Sequence, residues 1–287
     1  MRRIYLLTAI AVFLPARARA DESDAHYKQC LAYKQQNKLD EAVQECQKAL
    51  ELRETAACHF TMGNIYRQRS QWDYAQAHLE AAAKMAPKSA PVRSNLGAAY
   101  LRANRIDDAL RELELAVQLD PKDADAHMNL GTAYRQKKEV DKAIQHLKLA
   151  AELRPNDAMT INNLGVAQRQ ANQIDAAQVS FKKAVELKSD DAEFRFNLAT
   201  TYRRKGQVDE AITQYTKAIE LKDSFAPAHY DLGIMYEQKR MHDEAIAHFQ
   251  RYLALTSGKN PKMDEEIKAK IKALSEGTSE NPKIKKK

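Results

Sequence analysis

A pattern of 34 residues recurs along this chain of 287 residues and restricts what the chain can fold into. It is most regular between Ala124 and Asp157, where the small residues Gly131 and Ala143 stand at the eighth and twentieth positions. Small residues let two helices approach closely, and one such helix pair cannot bury its apolar face alone. The pattern therefore predicts a stack of helical hairpins, whose twentieth-position alanines are Ala42, Ala75, Ala109, Ala143, Ala177, Ala211 and Ala245.

The same stretch resembles a known family through Leu130, Gly131, Tyr134, Ala143, Leu147, Ala150 and Pro155. Together these residues resemble the tetratricopeptide repeat, a helix–turn–helix unit of 34 residues. The resemblance implies an all-α fold, a right-handed superhelical solenoid of seven repeats with a C-terminal capping helix. We expect the repeats to span residues 23–55, 56–89, 90–123, 124–157, 158–191, 192–225 and 226–259.

Residues with known preferences for helix ends recur at fixed places in the repeat. The aspartate at the eighteenth position, such as Asp40, is expected to cap helix B, the second helix of each repeat. The residues expected to cap helix A, the first helix of the following repeat, are Ser89, Asp123, Asp157 and Asp191. Pro91 and Pro227 suit the first turn of helix A. Left-handed residues that can end helix A are expected at Asn37, Asn104, Asn172 and Gly206.

Residues 1–20 resemble a secretory signal peptide. Arg2 and Arg3 form the positive start, residues 4–14 the apolar core, and Ala18-Arg19-Ala20 the cleavage site. The apolar run of eleven residues is too short to span a bilayer. We expect cleavage before Asp21, release into a bacterial periplasm, and no transmembrane segment in the mature chain. An uncleaved membrane anchor is the alternative, because arginines beside a cleavage site are unusual.

The repeat pattern stops after Gly258. Residues 260–275 are predicted to form the capping helix, which shields the apolar end of the last repeat with Met263, Ile267, Ile271 and Leu274. Residues 276–287 are predicted to be a disordered basic tail. A solvated tail is the plain interpretation, and contact with an anionic envelope surface is the alternative.

The net charge of +7 argues against nucleic-acid binding once its location is considered. The signal-like leader holds four basic residues, and the tail holds four basic residues with Glu276 and Glu280, so the body keeps 38 basic residues (46 minus 8) and 37 acidic ones (39 minus 2). A nearly neutral body without a basic recognition helix does not attract a nucleic-acid backbone. We therefore expect no nucleic-acid partner.

The sequence contains no motif for phosphate, hydrolase, zinc-protease or CxxC chemistry. Four histidines share the fourth position of their repeats, namely His26, His59, His127 and His229. They fall on four different A helices, too far apart to share a metal whose ligands lie about 2 Å away. We expect packing roles for them, no metal, no cofactor and no enzymatic activity.

Three cysteines, Cys30, Cys46 and Cys58, all lie in the first two repeats. In an oxidising periplasm a disulfide can form, and Cys46 in helix B is a plausible neighbour of Cys58 in the next helix A. The alternative is three small buried apolar side chains.

Helix A carries the candidate binding residues, because in this family it lines the concave face of the superhelix. Four successive sixth positions hold carboxamides that can pair with a peptide backbone, namely Asn95, Asn129, Asn163 and Asn197. The row is similar to the asparagine ladder of O-linked N-acetylglucosamine transferase, which grips extended peptides. The alternative is that asparagine is only a soluble choice there. Beside the row lie Arg67, Arg135, Arg169, Arg203, Gln136 and Gln170. The arginines are expected to favour acidic residues in a partner.

These observations predict a non-catalytic periplasmic scaffold for protein–protein interaction. It is expected to bind extended, partly acidic segments of partner proteins in its concave groove. Similarity to exported repeat proteins favours an envelope assembly or motility machine, such as those of type IV pili or myxobacterial adventurous gliding. The alternative is an accessory or regulatory subunit of an envelope enzyme or glycosyltransferase system.

Overall fold

The computed structural model describes residues 16–279, which form α-helices joined by short turns and include no β-strand. The fifteen helices are α1 (Ala16–Gln35), α2 (Leu39–Leu52), α3 (Ala56–Gln68), α4 (Trp72–Met85), α5 (Ala90–Arg102), α6 (Ile106–Leu119), α7 (Ala124–Gln136), α8 (Val140–Leu153), α9 (Ala158–Gln170), α10 (Ile174–Leu187), α11 (Ala192–Arg204), α12 (Val208–Leu221), α13 (Ala226–Gln238), α14 (His242–Thr256) and α15 (Pro261–Ser279). The all-α prediction is confirmed.

The described residues fall into two compact units, one that ends at Ala133 and one that begins at Tyr134. In the first unit α1 packs on α2, α3 on α4 and α5 on α6, and each pair contacts the next. In the second unit the pairs are α9 with α10, α11 with α12, and α13 with α14, followed by α15. Consecutive helices thus bury each other's apolar faces, which is the packing that the repeat predicts.

The eighth and twenty-fourth positions of a repeat face each other where helix A crosses helix B. A β-carbon placed on Gly63 would lie 2.7 Å from Cγ of Leu79, and one on Gly165 would lie 2.7 Å from Cε1 of Phe181. Both large partners are fully buried. Glycine is therefore needed here for close packing of the helix pair, as the spacing predicts.

The first repeat places a disulfide at these same two positions. Cys30 and Cys46 are bonded, with their α-carbons 5.3 Å apart, and both are fully buried. The sequence left two interpretations open, a Cys46–Cys58 pair and three unbonded thiols, and the structure shows neither, because Cys46 faces its own hairpin partner. Cys58 lies in the first turn of α3, buried and unpaired, where its backbone N–H donates to Oγ1 of Thr55 (3.2 Å).

Helix B does not begin as the sequence predicted. The residue before α2 is Lys38, which makes no side-chain cap, and Asp40 lies inside the first turn. The same holds at the other B helices that the structure describes. An aspartate in the first turn still favours the positive end of the helix dipole, although it caps no N–H. The eighteenth position therefore marks the start of helix B, but the prediction that its aspartate caps the helix is wrong.

Helix A begins and ends closer to expectation. Asp157 accepts from Met159 N, and Asp191 accepts from Glu193 N and Phe194 N. Ser89 precedes α5 without a side-chain cap. Residues with positive φ end helix A at Asn37 (57°), Asn104 (56°), Asn172 (59°) and Gly206 (71°), as predicted. The same conformation occurs at Ser70, Lys138 and Arg240, which the sequence did not single out.

Helix α15 covers α14 at the end of the second unit. Ile267 and Leu274 are buried in one cluster with Ala245 and Phe249. Lys270 Nζ lies 2.6 Å from Oε2 of Glu237. The helix runs to Ser279, past the boundary at residue 275 that we expected from the sequence.

Both chain ends extend beyond the described residues. Residues 1–15 of the expected signal peptide and 280–287 of the expected basic tail lie outside them, whereas residues 18–20 belong to α1. Between residues 16 and 279 no helix has the length and apolarity needed to cross a membrane.

Candidate functional site

The four asparagines at the sixth position lie on α5, α7, α9 and α11, and all four are half-buried. Two of them have partners within the protein. Asn95 Nδ2 donates to the Pro91 carbonyl in its own helix (2.8 Å). Asn197 Nδ2 donates to Oδ1 of Asn162 on the preceding A helix (3.1 Å). The carboxamides of Asn95 and Asn197 are thus held in fixed orientations, which the sequence did not show.

In the first unit the predicted residues Arg67, Asn95 and Asn129 line one cleft of about 350 Å³. Its other lining residues are Pro91, Ser94, Ala98, Asp123, Asp125 and Met128. Burial lowers the pKa of Arg67, and the negative charge of Asp125 partly offsets this. The carboxylate of Asp123 accepts from Asp125 N and Ala126 N at the start of α7. The cleft therefore offers an arginine and two carboxamides, beside two carboxylates and a few apolar side chains.

In the second unit the predicted arginines Arg135, Arg169 and Arg203 are half-buried at the C-terminal ends of α7, α9 and α11. Burial lowers the pKa of Arg169, and the charges of Arg204, Arg135 and Arg203 lower it further. The name arginine cluster is used below for Arg135, Arg169, Arg203 and Arg204. Cζ of Arg169 lies 5.5 Å from the centre of the Phe181 ring, which supports the guanidinium on one side. Gln136 and Gln170, the next residues along α7 and α9, are exposed.

A buried carboxylate contacts this cluster. Oδ1 of Asp231, on α13, lies 3.2 Å from Nη1 of Arg203, and the hydroxyl of Tyr215 donates to Oδ2 (3.1 Å). Tyr215 is fully buried at the twenty-fourth position of the sixth repeat. Asp231 stands at the sixth position of the seventh repeat, one repeat after Asn197, whereas Tyr215 was not singled out from the sequence. The available signal was a single aspartate following four asparagines in that row.

The histidines at the fourth position contact helix B of their own repeat, nineteen residues onward. His59 and His78 approach with their Nδ1 atoms 2.9 Å apart, and His229 and His248 with theirs 3.1 Å apart. His26 contacts Glu45 (2.6 Å) in the same way. Other repeats use different residues at these two positions, as in Arg93–Glu112 (2.7 Å) and Arg195–Gln214 (3.0 Å).

The tautomer of one histidine pair follows from its surroundings. Nε2 of His229 lies 3.0 Å from the carbonyl oxygen of Asp223, which can only accept, so this nitrogen carries the proton. Nδ1 of His229 is then the acceptor, and Nδ1 of His248 donates to it. This hydrogen bond joins α13 to α14. Among residues 16–279 no three histidine, cysteine, aspartate or glutamate side chains are arranged to hold a metal ion.

Comparison with protein families identifies the class. The model described as Cilia and flagella-associated protein 70 C-terminal domain, a model of tetratricopeptide repeats, matches residues 10–231, more than half of the chain. A second model, described as Tetratricopeptide repeat, matches residues 228–262. The chain belongs to the tetratricopeptide-repeat family. No curated protein sequence matches the chain.

Solved structures show the same fold. MamA is 27% identical with a TM-score of 0.53, and the match covers 57% of this chain and 96% of MamA. YrrB, described as a TPR protein with an unusual peptide-binding site, is 22% identical with a TM-score of 0.55, covering 67% of this chain and 97% of YrrB. PilF of Pseudomonas aeruginosa is 19% identical with a TM-score of 0.62, covering 72% of this chain and 94% of PilF.

These likenesses support a scaffold for protein–protein interaction. Repeats of this family are generally non-catalytic.

Proposed function

We propose that this protein is an exported, non-catalytic scaffold that binds an extended, partly acidic segment of a partner protein across its A helices. The observation that carries the proposal is the arginine cluster, which lies on the same helices as the half-buried carboxamides of Asn163 and Asn197. Half-buried guanidinium groups that repel one another are stabilised by an incoming carboxylate. The partner therefore supplies negative charge to Arg169, whose charge is opposed by its arginine neighbours.

The two residue types have different roles in binding. A carboxamide offers donors and an acceptor to a peptide backbone whatever the partner's side chains are. Arginine pairs with a carboxylate through two parallel hydrogen bonds, which fixes the position of the acidic residue. Asparagines held by internal hydrogen bonds, as Asn197 is, lose little conformational entropy when a ligand arrives. The face thus combines carboxamides that can bind any peptide backbone with arginines that select acidic side chains.

The disulfide and the leader together support an exported location. A buried disulfide between Cys30 and Cys46 fits a protein that folds in an oxidising compartment. The leader in residues 1–20 has the three parts of a secretory signal peptide. Both features support a periplasmic scaffold, which we place within an envelope assembly or motility machine.

The test is a titration with a defined probe. A fluorescein-labelled peptide of about ten residues, alternating glutamate and alanine, is long enough to cross three A helices that lie about 8–10 Å apart. We call it the acidic probe and measure its binding by fluorescence anisotropy at low ionic strength. We expect Arg169→Gln to weaken binding about tenfold or more, the effect of one lost charge-assisted pair. We expect Asn163→Ala with Asn197→Ala to weaken it by a similar factor.

The matched control is Lys183→Ala, which removes one positive charge from an exposed position on α10. It is expected to change affinity less than about twofold, because exposed distant charges are screened. Circular dichroism confirms folding of each variant. If the acidic probe does not bind, or binds Arg169→Gln and the control equally, the A-helix face is not the binding site.

A further inference from the structure

The sixth position of the repeat changes character at the end of the asparagine row. Asn163 and Asn197 are followed, one repeat later, by Asp231. This residue lies on α13 and contacts the last arginine of the same face. A carboxylate thus stands where the pattern would place another neutral carboxamide.

Both oxygens of Asp231 are engaged within the protein. Oδ1 is 3.2 Å from Nη1 of Arg203, and Oδ2 accepts from the Tyr215 hydroxyl at 3.1 Å. Asp231 is 8% exposed, and Tyr215 is fully buried among the core residues of its unit. The carboxylate is therefore held in one position by a rigid donor, directed at Arg203.

The fold itself gains little from the negative charge. Burial raises the pKa of Asp231, although Arg203 and the Tyr215 hydroxyl act in the opposite direction. An asparagine has the same shape, and its carbonyl oxygen can accept the hydrogen bond from Tyr215. What an asparagine cannot do is neutralise Arg203, so the charge of Asp231 matters for the arginine more than for the core.

Arg169, in the middle of the cluster, has the opposite environment. Arg204, Arg135 and Arg203 all oppose its charge. Its own carbonyl oxygen accepts from Nη1 of Arg204 (3.1 Å), which holds that guanidinium beside it. Positive charge is therefore concentrated at Arg135 and Arg169, and it is reduced at Arg203 by Asp231.

We propose that Asp231 is a built-in competitor for acidic ligands, which occupies Arg203 and so ends the acid-binding part of the face at Arg169. This inference rests on the proposed function. An acidic side chain of the partner docks on Arg135 and Arg169, whereas one that approaches Arg203 meets the charge of Asp231. The expected partner is therefore an extended segment with acidic residues opposite Arg135 and Arg169. The residue of that segment nearest the seventh repeat is expected to be neutral or basic.

The experiment removes the competitor and measures binding of the acidic probe, which presents glutamates along its whole length. We expect Asp231→Asn to bind about tenfold more tightly than the wild type, because Arg203 becomes free to form a charge-assisted pair with the probe. In the Arg203→Gln background the same substitution is expected to change affinity less than about twofold, because no guanidinium remains to be released. Asp231→Ala, a second variant without the carboxylate, is expected to show the same gain.

The control for net charge is Glu186→Gln, which removes one negative charge from an exposed position on α10. A gain in affinity equal to that of Asp231→Asn would overturn the inference, because general attraction would then explain it. If Asp231→Asn and Asp231→Ala bind the probe as the wild type does, while Arg169→Gln binds it more weakly, the inference is overturned. The proposed function then still stands. Absence of probe binding by the wild type and by every variant overturns both.

Discussion

Cys30 and Cys46 form a disulfide at the two positions where other repeats set a glycine against a leucine or a phenylalanine. The first helix pair is thus closed by a covalent bond where the others rely on close packing. A terminal repeat has a neighbour on one side only and buries less apolar surface than a central one. Among residues 16–279 the first repeat packs on one neighbouring repeat only, and the bond adds a covalent link to it.

Removal of the disulfide by Cys30→Ala with Cys46→Ala is expected to loosen the first repeat by about 3 kcal/mol, the value for a closed loop of this length. Because repeats interact mainly with their neighbours, the loss should be local. Hydrogen exchange should accelerate in α1 and α2 and remain unchanged in α9 to α14. Cys58→Ala is the matched control, since that thiol is unpaired. Unchanged exchange in α1 and α2 would show that packing alone closes the first repeat.

Gly165→Ala tests the close approach of two helices. The added methyl group would lie 2.7 Å from the ring of Phe181, which is fully buried. Overpacking of this kind costs about 1–3 kcal/mol, and hydrogen exchange in α9 and α10 should report it. The control is Gly206→Asn, because nothing lies within 4 Å of Gly206 and asparagine already adopts this conformation at Asn172. Equal effects of the two substitutions would contradict the packing role.

Acidification should weaken the contact of α13 with α14. The pKa of His248 is lowered to about 4, because burial disfavours the charged ring and His229 lies beside it. An unfolded histidine has a pKa of about 6.5, so between these values the unfolded chain binds more protons than the folded one. Stability is therefore complete above about pH 6.5 and is lost as the pH falls toward about 4.

Three groups lie near the pair of His229 and His248. The charge of Glu244 raises the pKa of His248, and the ring of Tyr236 stacks on that of His248. Asp223 lies beside His229. Arg251 is paired with Asp223. We expect the free energy of unfolding to fall by roughly 1–2 kcal/mol. This is less than the full pKa shift of His248 implies, because its ring is half exposed and solvent screens its charge. Hydrogen exchange of α13 and α14 between pH 7 and about pH 4.5 measures it. His248→Gln keeps a donor to His229 and should flatten the pH dependence, and an unchanged slope would assign the loss to other groups.

Cleavage of the leader before Asp21 is expected from residues 1–20. The first helix can tolerate the loss, since Ser23 Oγ donates to the Ala49 carbonyl (2.9 Å) and holds the remaining part of α1 on α2. N-terminal sequencing of protein from a periplasmic fraction should begin with Asp21. Recovery of membrane-bound protein that retains Met1 would instead support an uncleaved anchor.

Most of the fold could be predicted from the spacing of small residues. Ala42 and its equivalents fix the helix pairs, because each alanine position tolerates no larger side chain in a close helix crossing. The sequence analysis left the disulfide open and did not consider Cys30 with Cys46, although these two residues occupy the facing eighth and twenty-fourth positions. The aspartate at the eighteenth position was assigned to the cap because its preference for a helix start does not distinguish the cap from the first turn.

The candidate site was only partly visible in the sequence. Periodicity places Asn163, Asn197 and Arg169 on the same helix face, and their role in binding stays a prediction. The contact of Tyr215 with Asp231 joins neighbouring repeats, and no period within a single repeat reveals it. The internal hydrogen bond of Asn197 depends likewise on Asn162 in the adjacent helix.

The polar contacts between the fourth position of a repeat and the residue nineteen positions later differ among repeats, as in His26–Glu45 and Arg93–Glu112. This difference bears on how the chain avoids misfolding. Repeats with a common apolar pattern invite a helix to pair with the wrong neighbour, and α5 already packs on both α4 and α6. A hairpin of α5 with α4 in place of α6 would set Arg93 against His78 and leave Glu112 without its guanidinium. The first three hairpins thus have three different polar contacts at these positions, which disfavours pairing of a helix with the wrong neighbour.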